Sequence, residues 1–251
     1  MAASKQRDEI EAYLHTLLEV DRFEDYGPNG LQVEGAQEVR RICSGVTASL
    51  AFIDAAIAAG ADTLLVHHGL FWRGQDGRLT GWLATRVRRL MAAGANLYAY
   101  HLPLDAHAEL GNNAQLGLRL QLRADGRFGE QDLGFIGAAA QATLDGLAHT
   151  ARTALNKDIV VVPGDGRPLR RVAWCTGGAQ GYFEPAIAAG ADAFITGEIS
   201  EPQAHLARET GVAFLACGHH ATERFGAAAL AAHVAAQLGV SHAHIDIENP
   251  A

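Results

Sequence analysis

The 251-residue sequence predicts an α/β protein of two intertwined α/β/α-type domains that are related by an internal duplication. Three observations predict this class. Short apolar runs, typical of buried strands, alternate with amphipathic helical segments. Glycine follows several of these helices, as Gly60 and Gly94 do. One segment of the first half also recurs in the second half. Such alternation builds a largely parallel sheet covered by helices.

The first half of the chain shows the alternation most clearly. Apolar residues at three- and four-residue spacing predict a helix over 7–20, and a turn-rich loop with a short strand follows it. Strands and helices then alternate. We predict strands at 42–47, 63–66 and 96–100, and helices at 49–59, 79–93 and 106–120. In a parallel sheet, functional residues gather at the carboxyl ends of the strands.

The second half is less regular. Residues 124–170 are rich in turns around a helix at 143–155 and carry no catalytic constellation. Strands and helices then alternate again. We predict strands at 172–176, 193–196, 212–216 and 243–247, and a long helix at 221–238. From the change to a turn-rich segment we predict two domains. One comprises 1–123 plus 217–251 and carries most of the candidate metal ligands, and the second comprises 124–216.

A repeated pattern supports the duplication. Residues 55–62 read Ala-Ala-Ile-Ala-Ala-Gly-Ala-Asp and residues 185–192 read Pro-Ala-Ile-Ala-Ala-Gly-Ala-Asp, each before an apolar strand. A looser match joins 91–101 to 208–219 with one residue inserted, and it pairs His101-x-x-x-Asp105 with His219-x-x-x-Glu223. The alternative is that Ala-Gly-Ala-Asp is only common helix-ending chemistry. The shared spacing and the shared histidine and carboxylate favour duplication.

Charge and cysteine content restrict the function. The net charge of −8 and pI near 5.8 argue against nucleic-acid binding, which needs clustered lysine and arginine. No secretory signal or transmembrane run is visible, so we expect no membrane partner. The cysteines are three, odd in number and widely spaced, which predicts a reducing, cytoplasmic location.

Five residues form a candidate metal-binding set. His67 and His68 follow the apolar strand at 63–66, and His219 and Glu223 stand four apart where a helix begins, so they share a helix face. Asp105 adds a third position with a hard anionic ligand. Five ligands, two of them carboxylates that can bridge, suit two divalent ions about 3.5–4 Å apart. Nitrogen and oxygen ligands without thiolate favour zinc, iron or manganese. Neighbouring histidines point to opposite faces of a regular strand, so we expect the strand to break up here.

Two further residues are candidates for proton transfer. His101 either orients a ligand or a bound water or ligates a metal directly. Glu198 is either a general acid/base or substrate contact, or a carboxylate favoured at a helix start by the dipole. Gly177 and Gly178 follow a strand and offer a weak signal for an anion-binding loop, without the lysine of a P-loop.

These residues also carry a family resemblance. Val-His-His-Gly-Leu-Phe-Trp at 66–72, Tyr-His-Leu-Pro-Leu-Asp-Ala at 100–106, Gly-Asn-Asn at 111–113, Thr-Gly-Glu-Ile-Ser-Glu at 196–201 and Gly-His-His-Ala-Thr-Glu at 218–223 occur in one order. The chain thereby resembles the GTP cyclohydrolase I type 2 homologue family, also called NIF-three-like dinuclear metal centre hexameric proteins. The match runs from Asn29 to the last helix. His220 replaces a tyrosine found in many members.

The resemblance implies two α/β domains, a toroidal homohexamer and two divalent ions per subunit. Its metal ligands fall on the five residues named above, with Glu223 bridging both ions. It implies a metal-dependent hydrolase in which a metal-bound hydroxide attacks a nucleotide or related small substrate. The sequence shows no guanine- or triphosphate-reading motif. The alternative function is a non-catalytic metal-binding scaffold or regulatory protein. Open coordination positions favour chemistry, because structural ions are usually enclosed by protein ligands.

Overall fold

The computed structural model describes residues 4–251. In the first half the elements are β1 (Lys5–Gln6), α1 (Arg7–Leu18), β2 (Gly30–Val33), β3 (Glu38–Val39), β4 (Arg41–Thr47), α2 (Leu50–Ala58), β5 (Thr63–His68), α3 (Gly81–Ala93), β6 (Asn96–Ala99), α4 (Leu102–Ala106) and α5 (Asn112–Arg119). In the second half they are β7 (Leu122–Phe128), β8 (Gly134–Ala139), α6 (Leu144–Leu155), β9 (Val160–Val162), β10 (Val172–Trp174), α7 (Phe183–Ala188), β11 (Ala193–Thr196), α8 (Glu201–Thr210), β12 (Ala213–Ala216), α9 (His219–Glu223), α10 (Gly226–Leu238) and β13 (Ser241–His244). The protein is therefore mixed α/β.

The chain divides into two compact units. The first comprises the chain up to Gly111 together with Gly226–Glu248, and the second comprises Asn112–Phe225 with Asn249–Ala251. The sequence prediction drew the boundaries at 123/124 and 216/217. The structure differs because Leu116 and Leu120 pack into the core of the second unit. His219 and Glu223 consequently belong to the second unit, not to the first.

The first unit is built on a five-stranded sheet in the order β13-β4-β5-β6-β2. Only β2 runs antiparallel to its neighbour. Successive residues of each strand point to opposite faces, so Leu64 packs under α2 and α3 while Leu65 packs under α1 and α10. Both faces are thus covered by helices, as parallel strands rich in apolar residues require.

The second unit contains a six-stranded sheet in the order β7-β8-β10-β11-β12-β9, with a parallel centre of β10, β11 and β12. Ile195 and Leu215 pack with residues of α5 and α6 on one face. Phe194 and Phe214, their neighbours in sequence, face Phe183 of α7 on the other, with ring centroids 4.9 to 5.9 Å apart. Each such buried ring contributes roughly 1.5–3 kcal/mol through the hydrophobic effect.

The two units repeat one motif. In each, three consecutive parallel strands are connected by helices, as β4-α2-β5-α3-β6 and as β10-α7-β11-α8-β12. The repeated sequence pattern at 55–62 and 185–192 lies at the same place in both motifs. Gly60 and Gly190 end the first helix with φ of 76° and 83°, a left-handed conformation that glycine adopts without strain. Asp62 and Asp192 follow, and each carboxylate accepts hydrogen bonds from two consecutive backbone N–H groups, Arg40 and Arg41 for Asp62 and Arg170 and Arg171 for Asp192.

Two predicted helices are interrupted. The segment 106–120 contains a break between α4 and α5, where the ring Nδ1 of His107 accepts hydrogen bonds from the N–H groups of Glu109 and Leu110. Gly111 sits there because a β-carbon would lie 2.3 Å from the carbonyl oxygen of Leu104. The segment 221–238 is likewise divided into α9 and α10, and the two units meet in sequence at this division.

Other boundaries also differ. The turn-rich segment at 124–170 contains most of β7 and all of β8 and β9, strands that the sequence analysis did not predict. The last strand spans Ser241–His244, earlier than the predicted 243–247. Within residues 4–251, no helix combines the length and the apolar character needed to cross a bilayer.

Candidate metal centre

The paired histidines close strand β5. Contrary to the expected break, β5 continues through His67 and His68, and their ring centroids lie 4.5 Å apart at an interplanar angle of 44°. His67 is fully buried, and its Nδ1 lies 3.0 Å from the backbone carbonyl of Tyr100 at the end of the neighbouring strand. A carbonyl can only accept, so Nδ1 carries the proton and Nε2 is left with the lone pair. His68 is held by Thr47, whose hydroxyl oxygen lies 3.0 Å from Nδ1.

Asp105 lies in the same unit as these histidines. It belongs to the short helix α4, which is separated from the end of β6 by two residues. Its Oδ1 atom lies 3.5 Å from Nε2 of His67, and its side chain is nearly buried. A carboxylate removed from water in this way needs a compensating charge or donor. The first unit thus brings together three of the predicted ligands, His67, His68 and Asp105.

His101 lies beside the paired histidines. His67, His68 and His101 each offer a ring nitrogen, and these nitrogens lie within 4.8 Å of one another. The Nδ1 atom of His101 is 2.7 Å from Oδ1 of Asp25. Burial by itself raises the pKa of Asp25, but hydrogen bonds from His101, Asn29 and the backbone of Leu102 lower it below its ordinary value. The sequence prediction missed Asp25, because an aspartate in a turn-rich loop is ordinarily a turn residue.

The second unit carries the other two predicted ligands. His219 and Glu223 lie one turn apart on α9, with Nε2 of His219 3.2 Å from Oε2 of Glu223. The Nδ1 atom of His219 lies 2.7 Å from Oε1 of Glu198, whose other oxygen accepts a hydrogen bond from Gln180. The hydrogen bond to Glu223, opposed by burial and reinforced by the charges of both glutamates, raises the pKa of His219 to about 9. Glu198 therefore lies in contact with a predicted ligand.

Gly177 contributes to the site in a way that the sequence prediction did not identify. A β-carbon on Gly177 would lie 2.0 Å from Oε1 of Glu223, and its φ is 69°. Its N–H donates to the hydroxyl of Thr222, and its carbonyl accepts from Gly197 and Thr196. The N–H of Gly177 is therefore occupied by a hydrogen bond within the protein. Glycine is needed here because the backbone passes directly against the Glu223 carboxylate.

The donor chemistry fits divalent metal ions. Each unit contains imidazole nitrogen and carboxylate oxygen within ion-pair distance, at His67 and Asp105 in the first and at His219 and Glu223 in the second. The Nδ1 atoms of His67 and His219 both face acceptors, which leaves Nε2 of each as the nitrogen that can coordinate a metal ion. Metal-ligating histidines in proteins are commonly oriented by such a carbonyl or carboxylate. Cys217 takes no part, since it is buried in the core and burial raises its pKa to about 12.

Comparisons with known proteins identify the family of this chain. The family model described as Duf34/NIF3 (NGG1p interacting factor 3) matches residues 5–250. A relative from Neisseria meningitidis serogroup A, named GTP cyclohydrolase 1 type 2 homolog, is 50% identical over 98% of this chain and 99% of its own.

Solved structures share the fold of this chain. A structure described as protein ybgI, of unknown function, superposes with a TM-score of 0.95 at 42% identity, covering 98% of this chain and 100% of that one. The protein TTHA1606 from Thermus thermophilus superposes with a TM-score of 0.89 at 34% identity, covering 98% and 99%. The chain belongs to the Duf34/NIF3 family.

Proposed function

We propose that this chain binds two divalent metal ions through His67, His68, Asp105, His219 and Glu223 and acts as a metal-dependent hydrolase. The observation that carries the proposal is the common orientation of the imidazoles. In each unit an acceptor holds Nδ1 of a histidine, and Nε2 lies within 3.5 Å of a carboxylate oxygen on a neighbouring helical residue. Histidines held in this way are prepared to ligate.

The residues around these ligands have separate roles in the proposal. When bound, two divalent ions would polarise the substrate and lower the pKa of water. His101 holds its proton at Nδ1 against Asp25, so Nε2 is the atom that accepts a proton during the reaction. Glu198 orients His219, and it is about half exposed, so it is also accessible to a substrate.

The relatives' names suggest the substrate class. The relative from Neisseria meningitidis is named for GTP cyclohydrolase, and we extend this to a nucleotide or a related small molecule as substrate for this chain. The net charge of −8 makes the two cations important for such a substrate, since they would offset repulsion of phosphate groups. Zinc, iron and manganese all suit the mixed nitrogen and oxygen donors.

Metal content and turnover test the proposal together. The protein is loaded with manganese, iron or zinc, its metal content is measured by mass spectrometry, and nucleotides and phosphoesters are screened for hydrolysis. We expect two ions per chain, and a loss of at least about 100-fold in turnover for His67→Ala and Glu223→Ala. His149→Ala, at an exposed position of α6, is the matched control. One ion per chain, or turnover that survives both substitutions, contradicts the proposal.

A non-catalytic role is the second candidate. The family description names an interacting factor, which favours a scaffold or regulatory protein. This candidate also predicts metal binding, so the two candidates differ in turnover. Two bound ions without hydrolysis across the screen would support the scaffold.

We further propose a toroidal homohexamer located in the cytoplasm. The support for assembly is the family resemblance and the exposure of large apolar side chains on α3, where Trp82 is 57% and Met91 65% exposed. The support for the compartment is that Cys43, Cys175 and Cys217 form no disulfide bond among the described residues. Light scattering tests the assembly, with six chains of 26.6 kDa as the expected mass.

A further inference from the structure

A buried carboxylate lies against the candidate proton acceptor. Asp25 precedes β2 in a loop, and its side chain is 3% exposed. Oδ1 accepts hydrogen bonds from Nδ1 of His101 at 2.7 Å and from the N–H of Tyr26 at 2.6 Å. Oδ2 accepts from Nδ2 of Asn29 at 2.8 Å and from the N–H of Leu102 at 2.9 Å. All four partners are N–H groups, so the burial of this carboxylate is compensated by hydrogen bonds.

The same contacts determine the tautomer of His101. An ionised carboxylate only accepts hydrogen bonds, so the ring nitrogen that faces it must carry the proton. The neutral imidazole of His101 is therefore protonated at Nδ1 and has its lone pair at Nε2. The ring lies 4.9 Å from that of His67 and 5.7 Å from that of His68, measured between centroids. The lone pair is thus presented beside the paired histidines.

The backbone of His101 is held by the same loop. Its N–H donates to Oδ1 of Asn29 at 2.7 Å, while Nδ2 of Asn29 donates to Asp25. His101 precedes α4, and its carbonyl accepts the N–H of Asp105 at 3.1 Å. Asp25 and Asn29 therefore restrain both the imidazole and the start of the helix that carries Asp105.

We propose that Asp25 is a positioning residue, which holds His101 in the Nδ1-protonated tautomer so that Nε2 is available to the group formed with His67 and His68. The inference rests on the proposed function only for the role given to Nε2 of His101. The orientation itself follows from the contacts of Asp25. Replacement of Asp25 by asparagine keeps the shape of the side chain but puts an NH₂ group in place of one carboxylate oxygen. That oxygen accepts a hydrogen bond from Nδ1–H of His101, whereas an NH₂ group would donate one to an unprotonated Nδ1.

The test reads the tautomer directly in the metal-free full-length protein. Magic-angle-spinning NMR of ¹⁵N-histidine-labelled protein distinguishes Nδ1–H from Nε2–H imidazoles, and His101→Gln assigns the resonance by difference. We expect Nδ1–H in the wild type and a population of at least half Nε2–H in Asp25→Asn. Glu19→Gln, an exposed acidic position in the same part of the chain, should leave the resonance unchanged.

Either of two results overturns the inference. One is an Nε2–H imidazole in the wild type, a measurement that does not depend on whether Asp25→Asn folds. The other is an unchanged tautomer in folded Asp25→Asn. A parallel zinc titration separates this inference from the proposed function. If the tautomer changes as expected but the wild type binds no zinc, Asp25 positions His101 and the metal-dependent function is contradicted.

Discussion

The Nε2 atom of His219 lies 3.2 Å from Oε2 of Glu223, one helical turn further along α9. With Glu198 on its other nitrogen, His219 has a pKa raised to about 9, so it is protonated at pH 7 without a metal. A metal ion must displace this proton. Because the pKa is raised, His219 keeps the proton up to about pH 9.

We therefore expect metal affinity to rise between pH 7.5 and 8.5, by up to about tenfold per pH unit, and to level off above pH 9. Isothermal titration with zinc or manganese at several pH values measures this. In Glu198→Gln one of the two carboxylates is lost and the rise should shift to lower pH. An affinity that does not change between pH 7.5 and 8.5 would show that His219 is not a ligand that loses a proton.

Glu198 should also affect the metal affinity when it is measured above pH 9, where the proton on His219 competes little with the metal ion. Glu198→Gln removes the charged acceptor that orients His219, and losses of such partners typically weaken metal binding by about 10–100-fold. Glu201→Gln, which alters an exposed carboxylate on α8, should bind metal as the wild type does. Equal affinity in both variants would mean that His219 does not depend on Glu198 for its orientation.

Gly177→Ala should disturb the site through a steric clash and backbone strain. The new β-carbon would lie 2.0 Å from Oε1 of Glu223, and the left-handed φ of 69° adds roughly 1–2 kcal/mol of strain. We expect a reduced metal content and a lower midpoint of thermal unfolding. Gly181→Ala meets no atom within 4 Å and is the matched control. A wild-type metal content in Gly177→Ala would show that the Glu223 side chain can move away from the new methyl group without loss of metal binding.

The repeated aspartates should matter for stability. Asp62→Ala and Asp192→Ala each remove a charged acceptor from two backbone N–H groups, so we expect a loss of about 1–3 kcal/mol in the free energy of unfolding. Urea unfolding measures it. Asp125→Ala is the comparison, because its pair with Arg171 is exposed and such pairs contribute about 0–1 kcal/mol. Equal losses for all three would argue against a special role of the repeat.

The cysteines should be unreactive in the folded protein. Cys43, Cys175 and Cys217 are buried, and burial raises the pKa of Cys217 to about 12, so almost no thiolate forms at pH 8. A thiol reagent should label no cysteine in native buffer and three in urea. Rapid labelling of Cys217 in the folded protein would contradict its assignment as an unreactive core residue.

The sequence by itself predicted the strand–helix alternation, the Gly-Ala-Asp repeat and the five histidine and carboxylate candidates. These features are local: apolar periodicity reports which residues face a core, and His219 and Glu223 share a face because they stand four apart on a helix. The paired histidines also follow from the carboxyl end of a predicted strand, although β5 continues further than expected.

Only the tertiary structure decided which residues hold those candidates in place. Asp25 reaches His101 from a loop 76 residues earlier, and Gly177 lies against Glu223 although α7, β11, α8 and β12 separate them in the chain. The unit boundaries depended on the packing of Leu116 and Leu120 into a core formed mainly by later residues. Periodicity records that a side chain is buried but not which distant segment buries it, so contacts of this kind appear only when the chain is folded.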